Sequence, residues 1–249
     1  MRLNYLAFLV LLSLLLISGC KDDDNPVNNS TPSVIMPLKI GNYWSYIDST
    51  FNSDGSFQRV DSSKLGITGS SMLTYKGTNT EFFHWMWVNI ANNTPTHYKW
   101  LAKICDDGLS FYGGISAKGT YLFDKSINAK YPVTKNESWL HYNYSYFNDS
   151  TFRQTDSVMY TCVATDSLII TGIGALKSVV YRYGSGSLWT YLCYSPDIGY
   201  VAYFRYSNNI LIFKKTLYAK TILPKQTVSY YTSPNTINTN SKIDPLTGR

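Results

Sequence analysis

Apolar and polar residues alternate along much of the chain, and a period of two is the side-chain repeat of a β-strand. Between residues 140 and 146, Leu140 and three tyrosines alternate with His141, Asn143 and Ser145. The same alternation in residues 200–206 would place Tyr200 on the opposite face to Tyr203. Residues 82–88 are almost continuously apolar, as is typical of a strand covered on both faces. No segment of ten or more residues shows a clean helical stripe, so the pattern predicts strands.

Turn signals and amino-acid composition, taken together with this alternation, predict the fold class. Short clusters of Gly, Pro, Asn, Asp and Ser separate the runs, at residues 53–55, 92–95, 106–108, 195–197 and 208–209. The chain also contains 22 Tyr, 11 Phe and 6 Trp, which favour strands. We therefore predict an all-β fold: a single antiparallel domain of roughly a dozen strands over residues 34–223. The domain would be a curved sheet, an open barrel or a sandwich.

One short pattern occurs twice. Residues 37–44 and residues 132–139 each run from a proline through a turn to a tryptophan that opens an aromatic strand. Either the domain has two related halves, or the same device begins a strand at both places. The flanking residues share little else, which favours the second interpretation.

The first residues have the pattern of a lipoprotein signal peptide. Arg2 precedes an apolar run over residues 6–17, which is shorter than the roughly 20 residues that span a bilayer. Residues 17–20 (Ile-Ser-Gly-Cys) resemble a lipobox, which implies cleavage after Gly19 and lipidation of Cys20. We assign residues 1–19 to the signal peptide, 20–33 to a flexible tether and 224–249 to a polar tail.

Four further segments resemble surface lipoproteins of Bacteroidetes-type bacteria. A lysine and three aspartates at residues 21–24 resemble their export signal, and residues 37–46 resemble the opening of many uncharacterised members. Residues 179–183 and 194–201 resemble late segments of such chains, except that Asp197 stands where glycine is usual. The resemblance implies a lipid-anchored outer-membrane protein facing the extracellular side, with the periplasmic face as the alternative. The export machinery would be a partner, and no activity is implied.

Three cysteines remain after lipidation of Cys20. Either Cys162 pairs with Cys193 in a disulfide and leaves Cys105 over, or all three are buried thiols that act as small hydrophobes. No histidine stands in a recognisable relation to any of them, which disfavours a catalytic cysteine.

Four Asp-Ser pairs resemble the O-glycosylation sequon of exported proteins in the same bacteria. The serines are Ser49, Ser150, Ser157 and Ser167. Asp-Ser is also a common turn or strand-start pair, so the interpretation remains open between modification and local structure.

No constellation of residues points to catalysis, a metal or a cofactor. Glu81 and Glu137 are isolated, and His84, His97 and His141 are unevenly spaced. The net charge of +6 is scattered rather than clustered as nucleic-acid binding requires. We expect no enzyme activity, no metal, no cofactor and no nucleic-acid partner; the sequence leaves the oligomeric state open.

The aromatic residues are the sequence feature that points to ligand binding. Trp85, Trp87, Tyr142, Tyr144 and Tyr146 could stack on sugar rings, or could pack across strands and fill a core. We expect a non-enzymatic domain for binding or envelope structure. The alternatives are a glycan-binding or glycan-active surface protein and a carrier with an apolar cavity.

Overall fold

The computed structural model describes residues 33–89, 94–95, 98–147 and 151–223. Within them the chain forms thirteen strands. Their bounds are β1 Tyr43–Phe51, β2 Phe57–Tyr75, β3 Thr78–Asn89, β4 Thr94–Pro95, β5 Lys99–Cys105, β6 Gly108–Ser116, β7 Gly119–Lys130, β8 Ser138–Tyr146, β9 Phe152–Thr171, β10 Gly174–Ser185, β11 Leu188–Ser195, β12 Gly199–Ser207 and β13 Ile210–Thr221. No helix in the described part is long and apolar enough to cross a membrane.

The strands form one antiparallel sheet. Its order is β7-β6-β5-β3-β2-β1-β13-β12-β11-β10-β9-β8, and β4 pairs at the side with β3. β1 pairs with both β2 and β13, which joins the beginning and the end of the domain. The sheet curls until its end strands meet, so the prediction of an all-β antiparallel fold is confirmed. Of the three arrangements left open, the structure is a nearly closed, barrel-like sheet.

Side chains close the seam between the end strands β7 and β8. Ser126 of β7 donates its hydroxyl to the Tyr142 carbonyl at 2.8 Å and accepts the Tyr142 N–H at 3.1 Å. The Trp139 indole N–H donates to the Ile127 carbonyl at 3.0 Å. These bonds satisfy backbone groups that a regular strand ladder would otherwise pair.

Aromatic side chains fill much of the interior. Trp44, Tyr46, Tyr181 and Tyr194 are almost completely buried. Buried phenols need hydrogen-bond partners: the Tyr194 hydroxyl accepts from the Asn128 amide at 2.7 Å, and the other two donate to main-chain carbonyls. Tyr46 donates to the Tyr200 carbonyl at 2.9 Å, and Tyr181 donates to the Lys130 carbonyl at 2.6 Å.

The barrel consists of two related halves, which corrects the interpretation favoured by the sequence. With β4 set aside, the first half has strands of 9, 19, 12, 7, 9 and 12 residues in chain order. The second half, β8 to β13, has strands of 9, 20, 12, 8, 9 and 12 residues. The recurring Pro…Trp pattern leads into the first strand of each half, with its tryptophan as the second residue of that strand.

The backbone hydrogen bonds at the start of each half match as well. The Gly41 N–H donates to the Ile67 carbonyl at 2.9 Å, and the Ile67 N–H donates to Asn42 at 3.0 Å. In the second half, Asn136 donates to Cys162 at 2.7 Å and Cys162 to Glu137 at 2.9 Å, at one constant offset in residue number. Gly41 and Asn136 both have positive φ, +91° and +70°, because the chain turns there in the left-handed region. The repeat is hard to recognise in the sequence because the two halves share their backbone geometry while most of their side chains differ.

Candidate binding cavity

A cavity of about 510 Å³ opens at one end of the barrel. We call it the mouth cavity. It is lined by Thr50, Trp87, Tyr200, Tyr203, Arg205, Ile212, Phe213 and Lys215. Its volume falls within the range of about 300–1,000 Å³ typical of small-molecule sites.

Strand register brings the lining residues together. Across β12 and β13, Tyr203 stands opposite Lys215 and Arg205 opposite Phe213. Across β13 and β1, Phe213 stands opposite Thr50. Residues that face each other in an antiparallel pair share one face of the sheet, so residues from three strands line one wall of the cavity.

A β-bulge places Tyr200 in this cavity and corrects the predicted alternation. Tyr194 pairs with Tyr200 while Cys193 pairs with Ala202, so Val201 is the extra residue. An extra residue shifts the alternation by one position. Tyr200 therefore shares the interior with Tyr203 and Arg205, whereas strict alternation would have put it outside.

Lys215 is a neutralised cation in the cavity wall. Its ammonium lies 2.8 Å from Oδ2 of Asp48, donates to Ser63 and sits 4.5 Å from the centre of the Trp87 ring. Burial lowers the pKa of Lys215, and the hydrogen bond and charge of Asp48 oppose that shift. The pair fixes β13 against β1 and leaves little net charge at this point.

Arg205 is the cation that remains for a ligand. It is exposed at the mouth, and it forms no salt bridge with any residue in the described part of the chain. A guanidinium presents a planar set of donors that matches a carboxylate or phosphate. An anionic group at the mouth would therefore meet Arg205 first.

A second cavity of about 210 Å³ continues inward, and we call it the aromatic lumen. It shares Trp87, Tyr200 and Tyr203 with the mouth cavity. Its other lining residues are Trp85, Trp100, Phe111, Asn128, Tyr160, Tyr183, Leu192 and Tyr194. Burial raises the pKa of the Tyr194 and Tyr200 phenols, so both stay neutral at ordinary pH. The lumen therefore offers uncharged ring faces and a few hydroxyl and amide groups.

The Ser126–His141 contact at the seam lacks the geometry of a nucleophile and its base. His141 Nδ1 lies 3.1 Å from Ser126 Oγ and 2.9 Å from the Ile127 carbonyl. A carbonyl only accepts, so Nδ1 carries the proton and cannot take one from Ser126. In the described residues no group of three or more His, Cys, Asp or Glu side chains could hold a metal.

The predicted stacking residues are already packed against other rings. Trp85 is only 3% exposed and meets Phe111 edge-on at 5.4 Å. Tyr144 stacks on Phe123 at 3.6 Å, and Tyr146 stacks on Tyr98 at 4.4 Å. These contacts are the core-packing alternative that the sequence left open.

Four of the five predicted stacking residues, all except Tyr146, also line cavities. Trp87 borders both the mouth cavity and the aromatic lumen, and Trp85 borders the aromatic lumen. Tyr142 borders a small cavity of about 120 Å³ near the seam, and Tyr144 borders the same small cavity. Of the five, only Trp87 borders the mouth cavity.

Of the two alternatives for Cys162 and Cys193, the structure has buried free thiols and not the disulfide. Cys162 stands opposite Tyr181 and Cys193 opposite Val180 on the intervening strand β10. Two strand spacings come to about 9.5 Å, and a disulfide needs Cα atoms within about 7 Å. Burial raises the pKa of Cys162, and that of Cys193 to about 12. Cys105, also free, lies 3.0 Å from the Tyr112 hydroxyl.

The candidate glycosylation serines lie in strands. Ser49 is half-buried in β1, Ser157 is exposed in β9, and Ser167 is half-buried in β9. Ser150 and the lipidation site Cys20 lie outside the described residues. Exposure makes Ser157 the most accessible of the three described serines.

Sequence reasoning missed Arg205 and Lys215 as site residues. Arg205 was visible in the alternating run of residues 200–206, and Lys215 belongs to the Lys214-Lys215 pair. No local pattern marked either residue as a site residue, because β1 and β3, which complete the cavity, approach β12 and β13 only in the folded sheet.

No protein-family model matches the chain, and no curated protein matches it. Two solved structures are similar in shape. A Bacteroides fragilis protein inferred to be exported, with a YmcC-like fold, is 13% identical at a TM-score of 0.44. A Parabacteroides distasonis protein inferred to be a lipoprotein is 12% identical at a TM-score of 0.38. Each alignment covers 77% of this chain and 100% of the other chain.

Proposed function

We propose that this protein is a lipid-anchored, non-enzymatic binding protein of the bacterial outer membrane. Its ligand would be a small amphipathic molecule with a flat or apolar body and an anionic group. The observation that supports this proposal most directly is the mouth cavity, where aromatic walls adjoin the unpaired Arg205. The apolar body would lie against Trp87, Tyr200 and Tyr203 and extend toward the aromatic lumen, with the anion on Arg205.

The energetic argument combines burial and charge. Removing apolar surface from water stabilises a complex by about 25 cal/mol per Å². A hydrogen bond to a charged group contributes about 1.5–3 kcal/mol, so Arg205 would supply a factor of about ten or more in affinity. The neutral tyrosines of the lumen impose no charge repulsion on the ligand.

A matched pair of fluorescent probes tests this proposal. 1-Anilinonaphthalene-8-sulfonate carries an anion, and N-phenyl-1-naphthylamine has the same ring system without it. We expect both to bind the folded domain, and Arg205→Gln to weaken only the sulfonate probe, by about tenfold. Thr50→Trp should obstruct the cavity and weaken both probes.

The control is Arg182→Gln, which removes a guanidinium stacked on Trp189 at 4.6 Å and outside the mouth lining. Near-ultraviolet circular dichroism must remain native for each variant, because the sulfonate probe also binds loosely packed states. Equal binding by wild type, Arg205→Gln and Thr50→Trp would contradict the proposal.

The proposed location at the outer membrane rests on the first residues of the chain. Cys20 would carry the acyl groups, the lipoprotein export machinery would be the transport partner, and residues 21–24 favour the extracellular face over the periplasmic face. Cys20→Ser should release the protein from the membrane fraction. Mass spectrometry of the mature chain should find an acylated N-terminus at Cys20, and an unmodified one would exclude the anchor.

A further inference from the structure

The two halves of the barrel share one architectural feature on their outer face. In each half the second and third strands form a long hairpin that bends over the following strands. The first hairpin reaches β7, where Lys76 forms an ion pair with Asp124 at 2.9 Å. The second reaches β13, where the Gly172 N–H donates to the Leu217 carbonyl at 2.8 Å. In the sheet, two strands separate each hairpin from the strand it reaches, so both hairpins cross the outer surface.

The space beneath the first hairpin is filled by aromatic rings. Tyr75 and Phe82 come from the hairpin, and Tyr112 comes from β6 below it. The Tyr112 ring lies 5.1 Å from each of the other two, and Leu101 and Phe82 are fully buried. This half therefore closes its outer space with its own side chains.

The corresponding space beneath the second hairpin is open. It holds a cavity of about 420 Å³, which we call the outer cleft. The lining is Ser167, Ile169, Val180, Trp189, Tyr191, Cys193, Phe204, Tyr206 and Asn209. Because the same construction packs solidly in the first half, the hairpin fold does not by itself require a void here.

The chemistry of the lining differs from that of the mouth cavity. Four aromatic rings, two of them phenols, stand beside the Ser167 hydroxyl and the Asn209 amide, and the lining contains no Asp, Glu, Lys, Arg or His. Burial raises the pKa of Cys193 to about 12, so this thiol is neutral as well. Ring faces suit flat apolar C–H surfaces, and hydroxyl and amide groups suit ligand hydroxyls.

We propose that the outer cleft binds a neutral saccharide. One or two sugar rings would pack against the aromatic wall formed by Trp189, Tyr191, Phe204 and Tyr206. Their hydroxyls would bond to Ser167 and Asn209 at the rim. Arg182 lies outside the lining and packs on the Trp189 indole at 4.6 Å, which holds that ring in place. This site lies on the opposite face of the sheet from the mouth cavity and does not depend on the function proposed for it.

Native affinity electrophoresis tests the proposal with defined probes. The gels contain a soluble α-glucan, a β-glucan or a mannan, with an anionic polyuronate as the charged comparison. We expect at least one neutral polysaccharide to retard the folded domain. Calorimetry with the matching hexasaccharide should then show that Trp189→Ala and Ser167→Phe weaken binding at least tenfold, while Trp189→Phe retains most of it.

The first half supplies the matched control. Tyr112→Ala removes a ring from the filled space, so it should lower the melting temperature and leave saccharide binding unchanged. Arg205→Gln should also leave it unchanged, which separates this site from the mouth cavity. The proposal is overturned if no neutral polysaccharide retards the protein, or if only the polyuronate does. It is equally overturned if Ser167→Phe raises the melting temperature and binds like wild type, because the cleft would then be a packing defect.

Discussion

At the scale of single residues, burial keeps several ionisable groups in this barrel neutral. His141 is 7% exposed, and burial is the main cause that lowers its pKa, against a partly opposing bond to the Ile127 carbonyl. His84 shifts in the same direction through burial and the nearby charge of Lys99. Neither imidazole takes up a proton as readily in the folded protein as in the unfolded chain.

This difference makes stability depend on pH. As the pH falls below about 6.5, the unfolded chain binds protons at these positions before the folded protein does. The stabilisation is therefore complete above about 6.5 and is lost as the pH falls toward the lowered folded-state pKa. We expect urea unfolding to show a lower free energy at pH 5.5 than at pH 7.5, and His141→Gln to reduce that difference.

His84→Gln serves as the comparison, because His84 is less buried than His141. It should remove a smaller part of the pH dependence. An unchanged pH dependence in His141→Gln would show that this imidazole titrates alike in both states.

At the scale of elements, the seam between β7 and β8 is the weak line of the sheet. The other neighbouring strands pair through backbone ladders, whereas these two meet largely through side chains of Ser126, Trp139 and His141. Ser126 alone satisfies both the N–H and the carbonyl of Tyr142. The Ser126 hydroxyl thus takes the place of a backbone hydrogen-bonding partner that β7 does not supply to β8 at this position.

Ser126→Ala should therefore cost more than an ordinary serine truncation. Two main-chain groups would lose their partner, and each unsatisfied buried group costs about 1–3 kcal/mol. We expect the free energy of unfolding in urea to fall by about 2 kcal/mol overall. Ser138→Ala, which breaks an exposed bond to the Thr161 hydroxyl, is the control and should cost less than about 0.5 kcal/mol. Equal losses in the two variants would mean that the seam does not depend on Ser126.

At the scale of the whole molecule, the two halves adjoin at both ends of the chain. β1 pairs with β13, and the Leu223 N–H donates to Asn42 Oδ1 at 2.8 Å, so the two ends of the domain lie side by side. The connection between the halves runs from β7 to β8, across the seam. The peptide connection between β7 and β8 is therefore not what holds the two halves together.

A circular permutant tests this view. Residue 223 is joined to residue 34 through a Gly/Ser linker of about ten residues, and new ends are opened between Pro132 and Val133. All strand ladders remain, so we expect a single unfolding transition and a loss of only about 1–2 kcal/mol, or a few degrees in melting temperature. The same linker with new ends inside β9, between Tyr160 and Thr161, interrupts the pairing with β8 and β10 and should prevent folding. A permutant opened at Pro132 that fails to fold would show that the link between the halves is essential.

The sequence by itself determined the elements. Period-two alternation, aromatic content and turn residues gave antiparallel strands. Asn208 and Asn209 both adopt positive φ, 50° and 63°, in the tight turn that their pair predicted between β12 and β13. These features are local, because side-chain alternation and turn chemistry act within a few residues.

Only the tertiary structure decided what the elements enclose. Closure of the sheet, the separation of Cys162 from Cys193 by β10, and the meeting of Arg205 with Thr50 and Lys215 all depend on which distant strands become neighbours. The bulge at Val201 moved Tyr200 to the interior, since one extra residue reverses every position before it. The mouth cavity arises for the same reason: β1 and β3 contribute to its wall together with the distant strands β12 and β13, so no local pattern in the sequence predicts it.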